Sequence, residues 1–385
     1  MIDDRHDSDL KAGDEMARDR ADEPPIVPRT RRGLYLTPRQ AFLWIAGVLA
    51  VLLIALLAYL VWLQWPADFS SSGGKVQANI EPVVAIYGPG RGAKPKFSKP
   101  MGATWGREDR IYVADTQNSR IVVFDKKGKY LSQFGGFGIA KPLSGTKISW
   151  KPGLLDYPTD VAVDSHNGDV YVADFMNDSI SAFTSEGKFI RRFPDPYKPT
   201  GHGGSGSSEL GIAVTAVTVQ DGRVYATDTY QIFVFTTEGK LVKQFGLPGL
   251  DPGMLDHPNG IAVDSRGNIY VSDSNHNRVT AYTPDGKVLW TVGAKISDLM
   301  KETDNPFVLP RGLTVLRDGS LLVSDPLGQQ LVKIDEYGKV IATYGMRGAE
   351  PGQLNFPNDV SSLKDLVLVS DRANDRVQVV RLTGR

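Results

Sequence analysis

Cysteine is absent from the 385 residues, so disulfides, thiolate metal sites and a cysteine nucleophile are all excluded. Net charge is lacking as well: 44 basic side chains balance 44 acidic ones, which argues against a strongly cationic nucleic-acid binder. Charge of either sign is missing altogether from residues 41–63, AFLWIAGVLAVLLIALLAYLVWL, a run of 23 positions. At about 1.5 Å of rise per residue, such a helix crosses a hydrocarbon core of roughly 30 Å.

Trp44 near one end of the run and Tyr59, Trp62 and Trp65 near the other suit the two interfacial belts of a bilayer. The 40 residues in front of it, and the want of a small-x-small cleavage pattern in QWPADFS, predict an uncleaved signal anchor. Arg29, Arg31, Arg32 and Arg39 crowd the N-terminal flank, whereas Asp68 and only later Lys75 follow the run. The expected topology is therefore single-pass in the plasma (inner) membrane, with the N-terminus cytoplasmic and the rest extracytoplasmic. Residues 1–40 are rich in Asp, Glu and Arg and poor in large apolar groups, and are predicted to be a disordered tail. Residues 64–80 are small, polar and Gly/Ser-rich, and are predicted to be a flexible linker.

From residue 81 to 385 the chain repeats. KPMGATWGREDRIYVADTQNSRIVVFDKKGKYLSQFG and HPNGIAVDSRGNIYVSDSNHNRVTAYTPDGKVLWTVG are two of six copies, and each reads as four short strands. Asp-Gly, Glu-Gly and Lys-Gly turns separate the last two strands, where glycine supplies the positive φ of a tight hairpin. This is the pattern of propeller blades. The sixth copy stops after its third strand, and EPVVAIYG at residues 81–88 matches the missing outer strand. Pairing the two would close the circle and cover two open edges.

Three features recur together: Pro-x-Gly or Pro-x-Asp before the first strand, IYVAD as the second, and Asp-x-x-Asn-x-Arg before the third. They are seen at Pro100, Asp115, Asn118 and Arg120, at Pro158, Asp160, Asp174 and Asn177, at Pro258, Gly260, Asp273 and Arg278, and at Pro357, Asp359, Asp371, Asn374 and Arg376. This combination resembles the NHL-repeat six-bladed β-propellers. The resemblance implies an all-β six-bladed propeller. It leaves function open, because such propellers include binding platforms, sensor domains of membrane kinases and some enzymes.

Asp115, Asp174, Asp228, Asp273, Asp325 and Asp371 are equivalent positions, spread around a circle rather than convergent. A short acceptor at a strand end can bind backbone N–H groups of the turn that follows, as in an Asx-turn, and this scaffold role is the expectation. Asn118, Asn177 and Asn374 fit the same turn, while Arg120, Arg278 and Arg376 can brace neighbouring loops.

Loops between the second and third strands share a face with the connections between blades, and every long insertion falls there. Partner contacts are expected on that face. The insertion at 136–156 supplies Phe137, Lys141, Lys147, Trp150 and Lys151; the one at 194–209 supplies Tyr197. Blade three has a turn two residues shorter than blade one, which carries Tyr230, and a notch is expected beside it. These seven residues are the candidate partner-binding set, since exposed aromatics supply much of the apolar area of interfaces.

A second candidate site is the central mouth, reached just after the repeated prolines by Asp160, Asn259, Arg311, Asn358 and Asp359, together with Met101 and Thr159. Its oxygens are of the kind that hold calcium, as in the lactonase-like propellers that the chain resembles. His202, His257 and His276 lie in loops of the same face without a zinc spacing. In the propeller lyases that the fold resembles, His follows the repeat proline; here Met, Thr, Asn, Arg and Asn do. The expected function is a membrane-anchored binding or assembly platform without cofactor, meeting a protein or small ligand on the loop face and no nucleic acid. A metal-dependent hydrolase or lyase and a sensor head coupled to a separate signalling partner are the alternatives.

Overall fold

The computed structural model describes residues 52–53, 56, 77–90, 96–139, 151–194, 213–293 and 305–383. The chain divides into two units, Met1–Asp68 and Phe69–Arg385. The predicted membrane segment at 41–63 lies outside the described residues save 52, 53 and 56, which are helical. Among the described residues no helix is long and apolar enough to cross a membrane.

The second unit is all-β. A first strand, β1 (Gln77–Ile86), precedes five complete blades. Blade one is β2 (Ala103–Trp105), β3 (Ile111–Asp115), β4 (Arg120–Phe124) and β5 (Tyr130–Gly135). Blade two is β6 (Pro158–Val163), β7 (Val170–Asp174), β8 (Ser179–Phe183) and β9 (Phe189–Phe193). Blade three is β10 (Ala216–Gln220), β11 (Arg223–Thr227), β12 (Ile232–Thr236) and β13 (Leu241–Phe245). Blade four is β14 (Pro258–Val263), β15 (Ile269–Asp273), β16 (Arg278–Tyr282) and β17 (Val288–Gly293). Blade five is β18 (Leu313–Val315), β19 (Leu321–Asp325), β20 (Gln330–Ile334) and β21 (Val340–Tyr344). Blade six is β22 (Pro357–Leu363), β23 (Leu366–Asp371) and β24 (Arg376–Thr383), completed by β1.

The closure predicted from residues 81–88 is present. β1 runs antiparallel to β24 from Asn79 opposite Thr383 to Ile86 opposite Val377, with a bulge between Pro82 and Val84. The strand begins at Gln77, inside the stretch read as linker, and that boundary is corrected. Backbone pairing extends it: Gln77 and Ala78 run parallel to Thr343 and Tyr344 of β21, so blades five and six share one eight-stranded sheet.

Inner strands such as IYVAD of β3 and RIVVF of β4 are buried at every position, which explains why they lack an apolar/polar alternation. Both faces of each inner strand are covered by neighbouring blades, so every side chain enters a core. Six apolar clusters fill the six interfaces; the one between blades one and two gathers Tyr112, Ile121, Leu155, Val172 and Phe183. Outward, where blades splay apart, aromatics fill the wedge: Phe134 lies 4.8 Å from Phe183, and Phe193 lies 5.2 Å from Phe235, between ring centroids. The outer hairpins turn at Gly128, Gly187, Gly239, Gly286 and Gly338 with φ between 79° and 89°, each followed by a one-residue register shift. That is a three-residue loop closed by a glycine bulge, as the Gly-containing turns predict.

Candidate binding face and central mouth

The repeated aspartates are scaffold, by a different contact from the one predicted. Asp115 accepts from Ser98 N at 2.8 Å, Asn118 Nδ2 at 2.9 Å and Arg120 Nε at 2.7 Å. Asp371 accepts from Asn355 N at 2.6 Å, Asn374 Nδ2 at 2.8 Å and Arg376 Nε at 2.7 Å. Asp174, Asp273 and Asp325 repeat the backbone contact with Asp156, Asp256 and Leu309. The backbone donor thus lies 16 to 18 residues earlier, in the connection arriving from the previous blade, rather than in the turn that follows. The following turn closes on itself as a 3-10 turn, with Ser119 N donating to Thr116 O, which leaves the carboxylate to hold the incoming loop. The arginines brace the same connection: Arg376 donates to the carbonyls of Ala349, Glu350 and Gln353, and Arg278 to those of Leu250, Asp251 and Met254.

Blade three is the exception. Two residues shorter, its turn forms no 3-10 helix, and Asp228 makes the predicted Asx contact, accepting from Tyr230 N and Gln231 N at 2.8 Å. The connection at 195–212, beside which a notch is expected, lies outside the described residues.

At the axis the structure brings together Asp160, Asn259, Arg311, Asn358 and Asp359. With Met101, Thr159 and Thr215 they line a constriction of about 10 Å³, roughly the space of one water. Beneath it lies a wider polar cavity of about 200 Å³, and Asp160 and Asp359 border both spaces. Hydrogen bonds from blade to blade hold the constriction shut: Arg311 Nη1 donates to Asn358 Oδ1 at 3.2 Å, and Asn358 Nδ2 to Met101 O at 3.2 Å.

Asp160 and Asp359 stand on blades two and six, flanking blade one. Asp160 accepts from Val217 N of blade three at 2.9 Å and from Val161 N at 2.8 Å, and Asp359 accepts from Ala103 N of blade one at 2.9 Å. Each carboxylate ties its blade to the next one. Room for it is made by a glycine in the blade before: a Cβ on Gly102 would meet Asp160 at 2.6 Å, and one on Gly312 would collide with Asp359. Both carboxylates touch the channel, yet protein surrounds them. Burial pushes Asp160 up to about 7; burial, and then the neighbouring Asp160 charge, hold Asp359 well above the usual carboxylate range. Burial lowers Arg311 to about 10, with the charge of Arg372 adding to the effect.

Arg372 was not foreseen. It occupies the position after the repeated aspartate, where the other blades with this turn carry Thr116, Phe175, Ser274 and Pro326; a lone charge in that series is the signal the sequence offers. The predicted histidines do not converge: His257 contacts Asp256 while His276 contacts Asp273, and His202 is outside the described residues. Among the described residues no group of three or more His, Asp or Glu is arranged to hold a metal.

Of the partner-binding candidates, Phe137 is 65% exposed, Tyr230 is 40% exposed and Lys151 is exposed; Lys141, Lys147, Trp150 and Tyr197 lie outside the described residues. The same face also exposes Met176, Leu247, Val308, Leu327 and Met346, none of which the sequence singled out. Phe137, Leu247 and Met346 stand near equivalent points on the connections entering blades two, four and six. Each of these connections is pinned by a parallel bridge to a buried leucine, Leu155, Leu255 or Leu354. On the opposite face, among the described residues, only Tyr337 is a large exposed apolar side chain in a turn.

Residues 255–282 match the family model described as NHL repeat. Among curated proteins the chain is similar to "Protein brain tumor" of Drosophila melanogaster, 26% identical over 51% of this chain and 13% of that protein. It is similar also to "Probable peptidyl-alpha-hydroxyglycine alpha-amidating lyase pgal-1" of Caenorhabditis elegans, 26% identical over 38% of this chain and 42% of that one. The matched region thus spans less than half of either relative. A solved structure of a protein of unknown function from Bacteroides thetaiotaomicron superposes with a TM-score of 0.58 at 17% identity, covering 79% of this chain and 76% of that one, which shows a shared fold. Twenty-four strands in six blades among the described residues, the repeated Asp-centred turn and the matched segment together make the chain a six-bladed β-propeller that carries the NHL repeat.

Proposed function

We propose that this chain is a membrane-tethered binding platform whose partner, a protein or a small ligand, docks on the face formed by the blade connections. The observation that carries this reading is the contrast between the two loop faces. Phe137, Leu247, Val308, Leu327 and Met346 share this one, whereas among the described residues Tyr337 alone stands in a turn of the other; further exposed apolar side chains, such as Leu131, Val242 and Ile341, lie on outer strands. Apolar area of this kind on a water-facing surface marks an interaction site, because a partner that covers it removes the area from water. The proposed tether is residues 41–63, and the arginines crowding its N-terminal flank support a topology with the propeller outside the cytoplasm.

A photo-crosslinking residue at Phe137 or Leu327, compared with one at Tyr337 on the opposite face, tests the docking face in native membranes. Adducts from the first pair and none from Tyr337 are expected; equal labelling from both faces, or labelling from Tyr337 alone, sinks the reading.

The alternative of a calcium-dependent hydrolase or lyase at the mouth fits the side chains poorly. Asp160 and Asp359 each accept two backbone N–H bonds, which use part of their acceptor capacity, and among the described residues no third His, Asp or Glu joins them to make a ligand set. The amidating-lyase relative keeps a second enzymatic reading in play, and assay of the full chain with and without added divalent metal decides it.

A further inference from the structure

Among the described residues, two arginines have a buried Nε without a hydrogen-bond acceptor, Arg311 and Arg372; Arg311 lines the central mouth, and Arg372, on the turn after β23, lies close enough for its charge to act on Arg311. Arg311 follows Pro310 at the start of blade five; its backbone N–H is held by Ser324 O at 2.9 Å, and its side chain makes one bond, Nη1 to Asn358 Oδ1. Arg372 follows Asp371, which pairs across the strands with Pro357, the neighbour of Asn358. Its guanidinium lies 5.4 Å from the centre of the Phe356 ring. Asn358 thus accepts from Arg311, and the residue pair beside it, Pro357 with Asp371, adjoins Arg372 in the chain. Neither arginine is in an ion pair with a described carboxylate, unlike Arg120, Arg192, Arg278 and Arg376, which each bind the repeated aspartate of their blade.

This arrangement is costly by itself. A guanidinium carries five N–H donors, and a buried donor left unpaired loses its hydration without a replacement, a larger loss when the group is charged. Two like charges at one mouth add repulsion. The nearby Asp160 and Asp359 do not relieve it, since they accept from the backbone N–H groups of Val161, Val217 and Ala103 and neither is bonded to one of these guanidinium groups.

We propose that Arg311 and Arg372 form an oxyanion-binding site at the channel mouth, taking the carboxylate or phosphate group of a ligand. A planar or tetrahedral oxyanion balances both charges and offers acceptors to the terminal guanidinium nitrogens, the two Nε atoms themselves being enclosed by protein. The constriction beneath is too small for more than a water, so the anionic group sits at the entrance and the remainder of the ligand lies over the loop face. This site stands independently of the platform reading, because free anions report on it directly.

The test titrates inorganic phosphate and, separately, acetate into the full chain at fixed ionic strength, and reads the melting temperature. A rise with either anion beyond that with chloride is expected, with the apparent affinity falling about tenfold in Arg372→Gln and in Arg311→Gln and unchanged in Arg347→Gln, which alters another arginine of the same face. Arg372→Lys, which keeps the charge but loses the fork, is expected to fall between. Phosphate acting more strongly than acetate identifies a phosphoryl ligand, and the reverse a carboxylate. If Arg311→Gln fails to fold, Arg372→Gln decides alone, since its side chain makes no hydrogen bond within the described fold. An anion effect equal to that of chloride, or one unaltered by Arg372→Gln, overturns the site.

Discussion

Asp359 and Gly312 show how one position in a repeat is decided by its counterpart in the neighbouring blade. Two positions after the repeat proline, Gly102 packs on Asp160 of the next blade and Gly312 on Asp359, so at these two interfaces the aspartate requires a glycine before it. Gly312→Ala is predicted to lower the free energy of unfolding by about 1–3 kcal/mol through overpacking. The double variant Gly312→Ala with Asp359→Ala is predicted to cost less than the sum of its parts, because the clash is relieved; strict additivity in urea unfolding refutes the contact. Asp160 adds a dependence on pH. Its native pKa of about 7 exceeds the ordinary value of 3.8, so the native state holds its proton more tightly than the unfolded chain. The stability this confers is complete below about pH 4 and is lost as pH rises through about 7. Asp160→Asn removes that titration, and the fall in unfolding free energy between pH 4 and 7 is expected to flatten by up to about 1.4 kcal/mol per pH unit. An unchanged slope counts against the assignment. The slope is the informative quantity, since Asn also forfeits one acceptor toward Val161 or Val217.

Among the elements, β1 has a role beyond its own sequence. It supplies the outer edge of blade six from the far end of the chain, and its Ile86 enters the core shared with Phe97, Phe124 and Val377. Ile86→Ala is predicted to cost about 2–5 kcal/mol as a buried large-to-small change. Val83→Ala, exposed on the same strand, is predicted to stay within about 0.5 kcal/mol. Comparable losses from both, measured by thermal or urea unfolding, rule out packing at the closure as the source of stability. This closure was legible in the sequence because a blade lacking one strand and a strand lacking a blade are complementary in length and pattern. The 3-10 turns were less so. Asp, Asn and Arg were correctly placed in a turn, yet local hydrogen-bonding rules assigned the carboxylate to the wrong loop. Those rules consider residues two or three apart, and the actual partner is 16 to 18 residues away.

For the whole molecule, the propeller and the apolar segment at 41–63 pose separate questions. If the segment is a membrane anchor, the full chain is expected to remain with membranes after alkaline extraction, and a variant lacking residues 41–63 to be released. External protease is then expected to cut the propeller of cells stripped of any outer envelope while sparing the N-terminal tail. Release of the full chain by alkali, or protection of the propeller, contradicts the topology. The apolar face and the central mouth lie within the propeller and are testable in either case. A partner centred on the axis would meet Arg311 and Arg372 first and the apolar side chains of the connections around them.

By itself the sequence determined the number of blades, their order and the way the circle closes, because strand periodicity, glycine turns and repeat length are local properties that add up along the chain. It also pointed to the residues that reach the axis after each repeat proline, but not to Thr215 of blade three, where Val214 stands in place of the proline. Tertiary structure alone decided what those residues do there. Whether a carboxylate is engaged by a backbone N–H of the next blade, as Asp160 and Asp359 are, or a guanidinium lacks an acceptor, as in Arg311 and Arg372, depends on groups from other blades. Such groups are brought together only by closure of the circle, and no spacing within one repeat encodes their distance.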